Sequence, residues 1–321
     1  MFEITIAVCT YRRPLMLEKC LDSLIYQRIP GIDYEIIVID NCPKENSHYI
    51  VQKISDEYQN QTIRYYIEPA LGTTHARNRA IRESRGEWIA FIDDDEIAEE
   101  YWLFNLKNGA LCYNENSYLF GGKIILDFDL SQLPWLPPKF YKYFAQVDHG
   151  EDIKILDLHK EEYILTSNMF FKKAALKETL FQEDLGHKGY MEGGGEDTRF
   201  VQDLDKIGIM QVYIPKAIVK HSVALERLRP HWLLTRLFST GVTQVSIISP
   251  EPRSFSLYFK EQIYNFRTAV MFLIRGLLCH WSNKESEKIY NYGNALLYLG
   301  RFVANINVKW AETLTTLANF K

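Results

Sequence analysis

Residues Glu87–Glu96 read EWIAFIDDDE, an apolar run that ends in four consecutive acids. Nothing polar interrupts WIAFI between Glu87 and Asp93, the pattern of a strand covered on both faces. Three adjacent carboxylates repel one another, and folding alone gives no reason to collect them at a strand end. A divalent cation removes that repulsion. A hard cation held by one or two carboxylates plus phosphate oxygens is the usual arrangement around a nucleotide diphosphate. Read alone, the same residues serve equally well as a solvated turn capping a helix after Glu99.

The flanking sequence supplies context. Ile4–Cys9 reads as a strand, and Pro14 fits the first turn of a helix carrying Leu15, Leu17, Leu21 and Leu24. Glu35–Asp40 (EIIVID) is a buried strand ending in an acid, Ile50–Tyr58 a helix, and Ile63–Ile67 a strand. Thr74–Ser84 is a helix stopped by Gly86, and Glu87–Ile92 is the next strand. This alternation predicts an α/β fold with a doubly wound, mainly parallel sheet flanked by helices. Ligands in such sheets sit beyond the carboxyl ends of the strands, where Asp40 and Asp93–Asp95 both lie.

Downstream, Tyr118–Leu126 reads as a further strand, and Leu133–Phe144 (LPWLPPKFYKYF) as a loop rich in proline and aromatics. Ile164–Phe171 returns to the sheet, Glu196–Ile207 is a helix after three glycines, and Met210–Ile214 is a late strand. Beyond Pro230 only helices are expected.

Composition narrows the function classes. The 321 residues are 47% hydrophobic and 24% charged, and the net charge is 37 − 41 = −4. That is a folded globular chain without the basic field that nucleic acid requires. Five scattered cysteines lack C-x-x-C spacing, which points to a reducing, cytoplasmic setting without a disulfide framework. The start MFEITIAVCT has no cationic segment of a secretion signal. No uncharged apolar run reaches the length of a membrane span.

Four further features carry chemistry. Asp40 could accept hydrogen bonds from a nucleobase or ribose, or close an Asx turn with Asn41 before Pro43. Gly72–Arg79 (GTTHARNR) opens a helix with two arginines. Arg77 or Arg79 suits a phosphate, though arginines on a helix also simply face solvent. Gly193–Asp197 (GGGED) puts Glu196 and Asp197 at a helix N-terminus. There the dipole favours ionised carboxylates, and such a group serves as general base; the plainer role is a helix cap behind a loop. His221 follows the strand-like AIVK and suits a metal or phosphate as well as simple packing.

In this order, CTYRRP, EIIVID-N, ARNRAI, FIDDDE and GGGED resemble the family 2 glycosyltransferases of the GT-A fold, over about residues 3 to 240. Within that family CTYRRP, FIDDDE, the LPWLP segment and the GGGED spacing are nearest to succinoglycan-type exopolysaccharide glucosyltransferases. The resemblance implies a catalytic domain over 1–229 (nucleotide-sugar half 1–115, acceptor half 116–229) and a helical region over 230–321. It puts Thr10, Tyr11, Arg13 and Asp40 around the base, Arg77 near base or phosphates, and Asp93 on ribose and metal. Asp95 would bind the metal, with His221 standing where the nearest subfamily would have Glu. Asp197 would be the catalytic base, and Glu196 would hold the acceptor. The implied cofactor is Mn²⁺ or Mg²⁺, and the implied reaction is inverting transfer from a nucleotide diphosphate sugar, UDP first, to a glycan or lipid-linked hydroxyl.

Two other functions share parts of this pattern. A sugar nucleotidyltransferase would use the same fold and acids, but CTYRRP is a poor phosphate loop. A sugar-binding subunit without catalysis would have degraded acids, and these are intact. Phe266–Trp281 and Asn294–Val308 are apolar with arginines and short for spans. They suit a peripheral contact with the inner face of a membrane, or packing against the catalytic domain or in a homodimer.

Overall fold

A computed structural model of the chain describes residues 2–45, 47–113, 118–186, 194–248, 255–279 and 284–306. It opens with β1 (Ile4–Thr10), α1 (Pro14–Ile25), β2 (Tyr34–Asp40), α2 (His48–Glu57), β3 (Ile63–Ile67), α3 (Thr73–Glu83) and β4 (Trp88–Asp93). Pro14 starts α1, where its missing N–H costs nothing. Leu17, Cys20, Leu21 and Leu24 form the buried face of that helix at helical spacing. β1 pairs in parallel with β2 on one side and β4 on the other, and β2 pairs with β3. The register sets Thr10 beside Asp40 and Cys9 beside Asp93. The alternation read from the sequence therefore gives the expected parallel half, and its two strand-end acids flank the end of β1.

The chain continues through β5 (Glu96–Ala98), α4 (Trp102–Ala110), β6 (Tyr118–Leu126), β7 (Lys154–Ile155), β8 (Asn168–Lys172), α5 (Glu196–Lys206) and β9 (Met210–His221). The sheet order is β3-β2-β1-β4-β8-β6-β9-β5, with β7 paired to β9. β8 runs antiparallel between β4 and β6, and β5 runs antiparallel to β9. The second half of the sheet is thus mixed rather than parallel.

Two elements differ in extent from the periodic reading. The strand expected from Ile164 begins at Asn168, because Leu165–Asn168 closes a turn in which Asn168 N–H donates to Leu165 C=O. The strand expected to stop at Ile214 runs to His221. Its register against β6 jumps from Gly122↔Ile214 to Lys123↔Ile218, a bulge that absorbs Pro215, which cannot donate to a ladder. Gly122 permits this, since a Cβ there would lie 1.8 Å from Ala217 O.

The chain folds into two compact units. The first comprises 1–127, 145–192 and 196–222 and contains the sheet. Its core runs through both sheet faces, with Trp88, Phe91, Trp102, Phe120, Phe170 and Tyr213 among its largest buried side chains. The second comprises 128–144, 193–195 and 223–321, with α6 (Pro230–Ile248), α7 (Phe255–Leu278) and α8 (Glu285–Ile306). The proline- and aromatic-rich segment belongs to this unit. Its Phe140 stacks on Tyr290 and its Phe144 lies against Trp232, with ring centroids 5.4 and 5.1 Å apart. α6 and α8 touch backbone to backbone: a Cβ on Gly241 would lie 2.1 Å from Leu297 O, and one on Gly300 2.3 Å from Phe238 O.

Candidate active site

The site lies at the carboxyl ends of β1, β2 and β4. β5 doubles back against β9 immediately after the acid run and sets Glu96 opposite His221. A three-residue strand gives almost no periodic signal, so the sequence suggests only a turn here. The pairing matters because it brings His221 to the acids: its Nε2 lies 3.7 Å from Asp95 Oδ2.

Two arginines organise the carboxylates. Arg13, just before α1, donates to Asp94 Oδ1 at 3.1 Å and to Asp95 Oδ2 at 2.6 Å. Its side chain is 38% exposed. The Thr10 hydroxyl donates to Asp94 Oδ2 at 2.7 Å. Thr10 and Arg13, expected around the base, both contact Asp94, to which the sequence pattern assigns no role of its own.

Arg77 is different in kind. Its side chain is 4% exposed. One guanidinium nitrogen reaches Asp197 Oδ1 at 2.9 Å and Glu196 Oε1 at 3.2 Å, and the other lies 3.5 Å from Asp93 Oδ1. Arg77 therefore ties the acid run to the glutamate–aspartate pair, two sequence features more than a hundred residues apart. The local structure aims it. Gly72 N–H donates to Asn41 Oδ1 and fixes the start of α3, and Asn78 exchanges two hydrogen bonds with the Phe181 backbone. Gly195, at φ 83°, turns the chain into α5, so that Glu196 and Asp197 stand in its first turn.

Asp40 is fully buried. Its carboxylate accepts from Cys42 N–H, Ser47 N–H and the Tyr65 hydroxyl, so the Asx turn that the sequence allows is present. Tyr11 lies beside Arg12, whose guanidinium sits 5.5 Å from its ring centroid. One contributor escapes sequence reasoning altogether: the buried Thr166 hydroxyl donates to Asp197 Oδ1. A threonine in a turn before a strand carries no sequence signal of that role.

Charge crowding shows in the acidities. Burial, with Asp95 and Asp197 adding and Arg77 opposing, pushes Asp93 up to about 6. Burial also pushes Asp94 up to about 7 against the pull of Arg13. Asp197 is raised by burial, with Arg77 opposing and Glu196 adding. Glu96 is 1% exposed, and burial, with Asp93 and Asp95 adding, raises it well above the usual carboxylate range. Burial alone would weaken the Arg77 cation, but Asp197, Asp93 and Glu196 more than offset that and hold it charged.

No group of three or more His, Cys, Asp or Glu side chains among the described residues forms a ready metal cage. Asp95 and His221 nevertheless offer an oxygen and an imidazole nitrogen close enough to share one cation. Such a site is completed by substrate phosphate and water.

The family model for glycosyl transferase family 2 matches residues 5–178, over half the chain. The chain belongs to that family. It is 27% identical over 248 residues to the succinoglycan biosynthesis protein ExoM of Rhizobium meliloti, covering 77% of this chain and 75% of that protein. Against three other curated relatives it spans 26% to 33% of their length. The fold is shared with a mannosyltransferase of Pyrobaculum calidifontis solved with GDP-mannose and Mn²⁺ (TM-score 0.61, 14% identity, 95% of this chain and 87% of that one). It is also shared with TarS 1–349 of S. aureus solved with UDP (TM-score 0.51, 16% identity, 91% and 89%). The fold is accordingly GT-A, and the family makes the protein a glycosyltransferase.

Proposed function

We propose that this glycosyltransferase moves a sugar from a nucleotide diphosphate donor, UDP-linked first, to a hydroxyl of a glycan or lipid-linked acceptor, with inversion. The observation that supports this reading is the Arg77 cluster. One buried guanidinium joins Asp93, from the donor-type acid run, to Asp197 at the start of α5. A base and a diphosphate site so close together suit direct displacement. Asp197 takes the acceptor proton, and the hydroxyl oxygen attacks the anomeric carbon from the face opposite the diphosphate. Thr166 and Arg77 hold the Asp197 carboxylate by Oδ1. Glu196, on the same guanidinium, steadies the acceptor side.

Asp95, with Asp93 and His221, would hold Mn²⁺ or Mg²⁺, which when bound offsets charge on the leaving diphosphate. Thr10, Tyr11, Arg13 and Asp40, at the ends of β1 and β2, form the donor side, with Arg77 beneath it. ExoM acts in succinoglycan biosynthesis by its name, which supports a surface or exopolysaccharide acceptor. No disulfide joins any of the five cysteines, which suits a reducing cytoplasmic location.

A panel of nucleotide sugars with Mn²⁺, read by slow release of free nucleoside diphosphate, tests the proposal. Turnover of one UDP-sugar above the rest, abolished by chelator, is the expected result. Hydrolysis of no donor, or pyrophosphate release from a nucleoside triphosphate, would overturn it.

A further inference from the structure

α7 has its polarity reversed. The side that faces inward includes Gln262, Asn265, Ala269 and Gly276, spaced at helical intervals. The side that faces out carries Ile263, Leu273, Ile274, Leu277 and Leu278, each between 44% and 66% exposed. A surface helix of a water-soluble protein shows the opposite arrangement. An exposed, largely apolar face of this kind marks an interaction surface. The helix has 24 residues, about 36 Å at the α-helical rise. No helix among the described residues is long and apolar enough to cross a membrane.

The charges on that face identify its occupant. Lys260, Arg267 and Arg275 are all exposed, and Glu261 is the only acid of the helix. Two copies paired in parallel on this face would set each cation against itself. Paired antiparallel about its middle, they would set Arg267 against Arg267 and Lys260 near Arg275. Both arrangements stack like charges. An anionic lipid surface instead accepts the apolar side chains below its headgroups and the three cations at its phosphates. The long Arg and Lys stems lie along the apolar face while their heads reach the interface.

We infer that α7 docks in the plane of an anionic phospholipid surface through its Ile263–Leu278 face. The inference stands independently of the donor and acceptor proposed above. The full chain is mixed with vesicles of phosphatidylcholine alone or with about one third phosphatidylglycerol, and bound protein is read by flotation. The expected result is at least roughly tenfold more binding to the anionic vesicles, weakened by salt. Ile274→Glu with Leu277→Glu should reduce binding by roughly tenfold or more. Arg267→Glu with Arg275→Glu should remove the preference for anionic lipid. Circular dichroism and unchanged donor hydrolysis check that both variants are folded. Absence of vesicle binding by the unaltered chain, or equal binding by the variants, would overturn the inference. So would a dimer in sedimentation velocity that the same substitutions dissolve without any lipid binding, because the face would then serve a second copy.

Discussion

Arg13 and Arg77 each hold two or more carboxylates, yet they stand in opposite surroundings. Arg77 is sealed among Asp93, Glu196 and Asp197, while over a third of the Arg13 side chain meets solvent beside Asp94 and Asp95. A buried cation that leaves several carboxylates uncompensated when lost is a fixed part of the architecture. A half-exposed cation on a carboxylate is weakly held and exchangeable. In the proposed reading the difference separates the site into a rigid acceptor side and a donor side that can trade Arg13 for another cation.

The largest effect is expected where the rigid side does its chemistry. Asp197→Asn removes the proposed base but keeps the shape, so turnover should fall by about 10²–10⁴-fold. Donor binding should persist, measured by calorimetry with the nucleotide sugar. Near-normal turnover would assign the base elsewhere and break the division between the two sides.

Next is the support of that side. Arg77→Met leaves three carboxylates crowded without a cation, and should cost about 3 kcal/mol of stability in urea unfolding. A change under about 1 kcal/mol would mean that Arg77 is as loosely held as a surface arginine. Its companion Thr166→Val removes one donor from Asp197 at nearly constant volume. Turnover should fall roughly tenfold, with the donor KM unchanged. The Thr166 hydroxyl favours the ionised form of Asp197. Its loss should therefore raise that group further and move the acid limb of the pH–rate profile to higher pH, which a merely structural role would not do.

The framework of both sides is legible in the sequence. Strand ends at Asp40 and Asp93 follow from uninterrupted apolar runs, and α5 from three glycines before two acids. Asp197 and Arg77 can each be singled out, but not their mutual contact, because no local pattern records an approach between residues 77 and 197. Nor is β5 visible, since three residues show no period, although it is the element that carries His221 to Asp95. Asp94 reads as filler because its burial depends on Thr10 and Arg13 arriving from another strand end. α7 reads as apolar with arginines, but which face it hides depends on its packing against α8.

The smallest expected effect sharpens the donor side. Arg13 shares Asp95 Oδ2 with His221 in this structure, at 2.6 and 3.7 Å. A guanidinium on that oxygen competes with a metal ion for it. The proposed Mn²⁺ and the Arg13 contact then exclude each other in part, and removing the arginine should ease metal entry. A pair in which only the arginine is partly exposed and exchanges with solvent is worth about 1 kcal/mol or less, so Arg13→Ala should lower the half-saturating Mn²⁺ concentration by about two- to fivefold. Donor hydrolysis followed along a Mn²⁺ titration measures it. If Arg13 instead turns to the diphosphate when donor binds, the same variant will raise the donor KM while metal saturation stays where it was. A variant that changes neither would show that Arg13 is held as tightly as Arg77 or is irrelevant to the donor, and the contrast between the two arginines would fall.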